Sequence, residues 1–573
     1  MNMKPLRFWC QKVLPLVYDE SLSYYEQLCK IHEYVNALND NVNALKEYID
    51  DYFNNLDIEE TVKNIINEML IKGKLLPFYT FNPIEKYYIE KPDDFSEIFS
   101  SIEDNVGLKS GIYPIKKDCT INCNILIPNG AIISVENGVS LKINGNISAG
   151  RYKIFMGDGF ISQRNDYTFP EWFGAKQTNK NDFDSSTYIN KAIKSMTKGV
   201  LSLSKNIGDY CYYINNPISF GKIRTIIEGE NCVIFSDCDR VFNLDEDEYS
   251  ESVIVKGIHI ENIGSNENTC FYVNNTTRLY FERVFINNFK IGVYLNNNIT
   301  PFFNMCNVIS NNGIGIYVKG KNPSLKITNC YFINTNITES SNFTGVLLEN
   351  GQITDVTIDS NEFIGCYNGV SVSATKEIDS RLVDFYIRNN IFDSGINNQI
   401  KIENRKLSNF HILNNFFNVS GDIPNKNIFA VVINSNNNFV VSGNQFISYS
   451  DNMNGINCND IYNATFDKNT FSDIQHCIIL MGGGNVNITY NSFTKKVFEL
   501  SEGIVANNFN MVNIIANLFN SGVDGVKTFD VDLTCRNAKS GLIIGNNTVS
   551  TNVTENEKMN FIYKGLKILT ESF

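Results

Sequence analysis

Asp355 and Asp384 hold the same place in two successive copies of a nine-residue pattern, DVTIDSNEF and DFYIRNNIF. If such copies stack as neighbouring strands, the two carboxylates stand about 5 Å apart. Breaking a glycosidic bond takes two carboxylates roughly 5–10 Å apart, the separation depending on retention or inversion. Asp355 and Asp384 are therefore one candidate catalytic pair. The same place is filled by Asn409, Asn438, Asn463 and Asn485 in later copies, which equally describes a turn. A second set lies on the alternate residues of the same copies. Asp359 and Arg388 share one position, and Tyr386 and His411 share the position two residues earlier. Carboxylate, guanidinium and aromatic side chains together suit a hydroxylated or anionic chain. Between these copies the spacing swells, and the extra residues at 373–383 carry Glu377, Asp379 and Arg381. Asp359, Glu377 and Asp379 join the catalytic candidates, and Tyr386, Arg388, His411 and Arg381 are the substrate-binding candidates. Lyase chemistry would instead need a basic group with Ca²⁺ or a carboxylate neutraliser. His259, His411 and His476 fall in separate copies with no nucleophile pattern, so no serine or cysteine triad is supported.

The element that must position these residues is the repeat itself. It reads Asp/Asn-apolar-x-apolar-x-x-Asn-x-Phe and recurs as NFHILNNFF, NFVVSGNQF, NATFDKNTF and NVNITYNSF. Its last apolar residue marks a series: Phe235, Ile260, Phe285, Val308, Phe332, Phe363, Phe392, Phe417, Phe446, Phe471, Phe493, Phe519 and Val549. A recurrence at this period predicts a solenoid. The apolar residues seven and five before each marker share one strand face, as Val356 and Ile358 do. A second strand follows each marker, beginning Gly292-Val-Tyr-Leu, Gly315-Ile-Tyr-Val or Gly345-Val-Leu-Leu. Two or three short strands per coil with no helix between them predict a parallel β-helix of about 12–13 coils. The Asn two before each marker (Asn361, Asn390, Asn415, Asn444, Asn469, Asn491) is expected at a bend, in an internal hydrogen-bonded ladder. Insertions at 334–344, 373–383 and 418–428 concentrate around Asp355–His411, and Tyr294 and Tyr317 form an outward aromatic pair.

Before the repeats come four stretches of different character. Leu28, Ile31, Val35, Leu38, Val42, Leu45, Ile49, Tyr52 and Leu56 alternate by three and four, the seam of a coiled coil. The residues at its a positions, over mostly Leu at d, lean towards two strands. Asp57-Ile58-Glu59-Glu60 reads as a capping box opening a second short helix. Residues 74–108 read as a linker or small irregular unit. From Ile112 to Ile161 short apolar strands are cut by Asn129-Gly130, Asn137-Gly138 and Asn144-Gly145. A helix over 186–196 and a strand over 200–203 precede the first coil. The expected division is 1–73 helical, 74–168 linker and short β-rich solenoid, 169–550 β-helix, and 551–573 a C-terminal cap.

Composition narrows the partners. With 573 residues, 19% charged, and a net charge of −13, the chain lacks the basic stripe of a nucleic-acid binder. No apolar run reaches the roughly 18 residues of a membrane span, and no signal peptide opens the chain. The 14 cysteines show no zinc spacing, so neither metal nor other cofactor is assigned. Cysteines within repeat strands are expected to be buried and unpaired, in a protein made in a reducing cytoplasm.

Three stretches resemble the tail spikes and appendages of short-tailed bacteriophages, which carry a pectate-lyase-like right-handed β-helix. The first is Phe8-Trp9-Cys10-Gln11-Lys12-Val13-Leu14-Pro15-Leu16-Val17-Tyr18 with Leu22-Ser23-Tyr24-Tyr25-Glu26, similar to the virion-attachment start in phages of Gram-positive hosts. The second runs from Asn137-Gly138 through Ala149-Gly150-Arg151-Tyr152 to Pro170-Glu171-Trp172-Phe173-Gly174-Ala175. The repeats are the third. Where the family often continues with a Gly-Asp-Gly-rich turn, this chain reads Lys176-Gln-Thr-Asn-Lys-Asn-Asp182. The resemblance implies a homotrimer, against the heptad's lean, and a place in the virion tail joined to tail or collar proteins through the N-terminal region. It also implies a host-surface polysaccharide as ligand (capsule, exopolysaccharide or wall teichoic acid), bound and depolymerised by a hydrolase or lyase. The alternative on the same scaffold is a receptor-binding fibre without enzymatic activity.

Overall fold

The computed structural model describes residues 93–521, with short gaps at 180–181, 207, 221–223, 266, 339, 350, 374–381, 420–427, 450–452 and 496–501. It also describes 82–83, 541–545, 548–549, 569–570 and eight helical positions between 33 and 46. The chain divides into a unit up to Thr80 and a second from Phe81 onward. The capping box and most of the heptad lie outside the described residues; of the heptad, Val42 is described, helical and exposed.

The second unit is a parallel β-solenoid of about 14 turns, built as a spiral of strands in which each pairs with its equivalent in the next coil. It begins with a short three-sided solenoid. Gly111–Ile115 pairs with Ala131–Val135 and then Phe155–Gly157, while Cys119–Ile121, Ser140–Ile143 and Phe160–Gln163 stack beside them. The glycines of Asn129-Gly130 and Asn137-Gly138 have φ of 89° and 81°, the left-handed turns that let each coil change direction. Residues 93–108, part of the stretch read as a linker or small irregular unit, are packed. The helix Ser96–Ser101 buries Phe99 against Tyr113, closing the base of the stack.

The segment around Trp172 joins the short solenoid to the long one. Trp172 is 1% exposed and donates from Nε1 to Gly150 O at 2.9 Å. Arg151 reaches Ser202 O at 3.0 Å and lies 4.2 Å over the Phe169 ring. Glu171 accepts hydrogen bonds from Ser204 and Tyr212 in the coil beyond. The Ala-Gly-Arg-Tyr and Pro-Glu-Trp-Phe-Gly-Ala segments are thus two halves of one clasp. The helix Ser186–Ser195 follows it, close to the predicted span.

Each coil of the long solenoid has three faces: a marker face, the leading face before it and the trailing face after it. On the marker face Phe332, Phe363, Phe392, Phe417, Phe446, Phe471 and Phe493 form one buried stack. Neighbouring centroids are 4.7–5.1 Å apart and the rings within 8° of parallel. Glycine on the trailing strand makes the room: a Cβ at Gly369 would come within 2.6 Å of the Phe392 ring. Two of the expected markers are displaced by one residue. Ile234 pairs with Ile260, and Ile260 with Ile286, so the half-buried Phe235 and Phe285 face outward. Period-2 alternation decides this, because a one-residue shift turns a side chain to the other face.

The Asn ladder forms as expected, but the bend lies one residue earlier. Ser360, Asn389, Asn414, Gly443, Lys468, Tyr490 and Ala516 have φ between 52° and 68°, and the ladder residues do not. The ladder position needs an amide that both donates and accepts; the bend needs only tolerance of a left-handed backbone. From Ile400 on, trailing and leading strands fuse into single strands such as Ile400–Leu413 and Met453–Asp467. The eleven described cysteines are buried thiols, with no disulfide among them.

Candidate glycan-binding face

Outward side chains of the leading face come from alternate residues of each strand, and strand register puts them in columns. Thr357 pairs with Tyr386 and Tyr386 with His411; Asp359 pairs with Arg388 and Arg388 with Leu413. Tyr386, Arg388, His411 and Asp359 therefore occupy one patch on three successive coils. The Tyr386 and His411 rings stack at 4.8 Å, 3° from parallel, with Tyr386 36% exposed. In such a pair each ring covers one face of the other, so the ring edges and the tyrosine hydroxyl are what point outward, groups that can meet sugar hydroxyls.

Beside the stack, Arg388 Nε donates to Asp359 Oδ2 at 2.8 Å. Asp359 Oδ1 accepts from Asn389 Nδ2 and from Ser360 Oγ, each at 2.9 Å. Burial works against the Asp359 charge, but the bonds from Asn389, Ser360 and Arg388 outweigh it and hold the carboxyl below its usual range. Asp359 is thus held as a carboxylate. It can fix Arg388 and accept hydroxyls, and it is poorly placed to deliver a proton. Burial likewise lowers the His411 pKa, opposed by the charge of Asp384, so this imidazole is neutral at pH 7.

Asp355 and Asp384 stand at the corner where the leading strand opens, with φ of 54° and 59°. Their strands are paired through Val356 and Phe385, so their Cα atoms lie on adjacent coils about 5 Å apart. Asn409, Asn438 and Asn463 continue the column with φ of 54–58°. Asn409 Nδ2 donates to Asp384 Oδ1 at 2.9 Å, as Asn463 does to Asn438 at 3.2 Å. Carboxylate and amide are therefore interchangeable at this corner. Glu377, Asp379 and Arg381 lie outside the described residues, as do much of the insertions at 373–383 and 418–428. The insertion at 334–344 is described in most part; Ser341, Thr338 and Asn334 side chains bond within it, and Asn334 Nδ2 also donates to Gly365 O on the next coil.

The trailing face carries a longer aromatic strip than the sequence pattern suggested. Tyr272, Tyr294 and Tyr317 are in register, with centroids 4.8 and 5.3 Å apart. Arg240 caps one end at 3.8 Å over Tyr272, and the Tyr317 hydroxyl bonds Glu349 at the other. Tyr272 sits in a coil without the Gly-Val-Tyr-Leu signature, which is why the pair read as two residues.

No family model and no curated protein matches the chain. Among solved structures it is similar to tailspike protein 3 of bacteriophage CBA120, at 15% identity and a TM-score of 0.46. That match covers 68% of this chain and 62% of the spike. The tailspike of E. coli bacteriophage HK620, solved with a pentasaccharide, matches at 13% identity and 0.44, over 67% and 80% of the two chains. PfbA, a surface adhesin of Streptococcus pneumoniae, matches at 12% and 0.43, over 67% and 91%.

Proposed function

We propose that this protein is a tail-spike-type appendage whose β-helix binds a host-surface glycan through the leading face. The observation that carries the reading is the Tyr386–His411 stack, exposed at Tyr386, set beside the Asp359-anchored Arg388, where two of the longer coil intervals fall. The tyrosine hydroxyl and the outward ring edges take sugar hydroxyls, while the guanidinium takes hydroxyls or an anionic substituent. In the same reading residues 1–73 join the protein to tail or collar proteins, residues 169–550 form the glycan-binding body, and three copies assemble. Its place is the virion tail.

Depolymerisation is the second reading. What favours it is that Asp355 and Asp384 stand at equivalent corners of adjacent coils, the side-by-side placement that a two-carboxylate glycosidase needs. The experiment incubates the assembled protein with purified capsule, exopolysaccharide and wall teichoic acid, measuring bound polymer, new reducing ends and absorbance of unsaturated sugars. Binding that falls with Tyr386→Ala and Arg388→Gln supports the glycan reading. Binding indifferent to both variants refutes it. Binding without cleavage of any polymer leaves the fibre and removes the depolymerase.

A further inference from the structure

In most coils the corner between leading and marker faces is one residue with positive φ, among them Arg283, Met305, Asn329 and Ser360. One coil departs from this. Glu228 pairs with Lys256, but the next pairing is Cys232 with Ile258, so Gly229, Glu230 and Asn231 stand opposite Gly257 alone. Two extra residues push the corner outward on that coil. On the next, the corner is Gly257 (φ 63°), where a Cβ would meet Gly229 O at 2.9 Å. On the third, the exposed Arg283 rises from the corner with φ 53°. A bulge, a missing side chain and an arginine in succession leave a cleft of about 370 Å³, lined by Glu228, Glu230, Lys256, His259, Arg283 and Phe285.

We propose that this cleft is a second ligand site, one that takes a hydroxyl-bearing unit carrying a single anionic group. Arg283 supplies the recognition of the anion. Lys256 is engaged by Glu282 at 3.3 Å, whereas among the described residues no carboxylate pairs with Arg283. A guanidinium fork matches a carboxylate or phosphate in two parallel bonds. Glu228 and Glu230, both exposed, are acceptors for hydroxyls on the opposite side. The remaining wall is two rings: Phe285 meets the edge-on ring of His259 at 4.3 Å. Burial lowers the His259 pKa, so at neutral pH this wall adds no charge of its own. The volume suits one small polar unit rather than a peptide or a nucleic acid.

The inference rests on the glycan reading, and places on the same molecule a charged unit of such a polymer, whether a uronic acid or a phosphate-linked polyol. The test is titration calorimetry of the full assembled chain with three probes: an oligogalacturonate, a poly(glycerol phosphate) teichoic acid and a neutral maltooligosaccharide. The expected result is binding of one anionic probe and not of the neutral one. Arg283→Gln should weaken it about tenfold or more, and Arg283→Lys less. Both variants should fold, because Met305 and Lys468 hold the same corner conformation. Whether the uronate or the phosphate binds identifies the source of the anion. Equal affinity of wild type and Arg283→Gln, or no binding of either anionic probe, overturns the cleft. Tyr386→Ala and Arg388→Gln are measured on host polymer in parallel. Loss there with an unchanged Arg283→Gln sinks the cleft alone, and no loss in either pair sinks the glycan reading.

Discussion

Asn415→Ala should destabilise the solenoid locally by about 4 kcal/mol, within a range of about 2–6. Asn415 is 1% exposed and makes four side-chain hydrogen bonds. Its amide donates to Ile387 O at 2.9 Å and to Asn444 Oδ1 at 3.0 Å. Its oxygen accepts from the backbone N–H and from Nδ2 of Asn390, both at 3.0 Å. Alanine removes the acceptor and strands two buried donors on the neighbouring coil, each costing about 1–3 kcal/mol. A water entering the vacated space would bring the loss to the lower end. A long repeat array need not unfold in one step, so the assay is local. Hydrogen exchange at the Asn390 amide is read beside the thermal midpoint, with Asn463→Asp as control. Asn463 is exposed at a corner that carries Asp in two coils, so its replacement should stay within about 0.5 kcal/mol. If Asn415→Ala lies within about 1 kcal/mol of wild type and the Asn390 amide stays protected, the ladder is decoration and the argument fails.

Phe392→Ala should cost about 3–5 kcal/mol, read by the same exchange experiment at Phe363 and Phe417, since it opens a hole in a stack buried to 1%. Asp355→Asn and Asp384→Asn should leave the thermal midpoint within a degree or two, as Asn holds that corner elsewhere, and abolish any cleavage; wild-type cleavage by both would make the column structural only. Asp359→Asn should change stability by less than about 1 kcal/mol, because the ion pair is open to solvent on the arginine side, where Arg388 is 46% exposed. It should nevertheless weaken polymer binding measurably by releasing Arg388. Folded His259 and His411 have lowered pKa values, so below 6.5 the unfolded chain takes up more protons than the folded one. Stability should therefore fall as pH drops from 7.5 to 5.5, and a His259→Asn, His411→Asn double variant should flatten that slope in thermal scans.

Much of this architecture is legible in the sequence because a solenoid writes its geometry as a period. The Phe column is visible since a stacked ring must recur once per coil, and the Asn column since each buried amide bonds the amide of the coils on either side and so must recur with them. Glycine opening the trailing strand belongs to the same pattern, being the space the ring needs. The columns fail where recurrence fails. Phe235 and Phe285 misled because a half-buried outward Phe is as apolar as the inward Ile beside it, and only strand register separates them. That slip hid the two-residue bulge at Gly229–Asn231, and with it the cleft beneath Arg283.

Sequence by itself determined the fold class, the identity of the internal ladders and the sharing of one face by Asp359, Tyr386, Arg388 and His411. Each follows from periodicity, a property of the chain alone. Tertiary structure decided what those residues do to one another. It decided that Asp359 is held ionised by three donors, that Tyr386 lies flat on His411, and that Asp355 and Asp384 sit at left-handed corners. Those facts depend on distances across coils some 25–30 residues apart in sequence, and a distance of that kind is fixed only when the strands are paired.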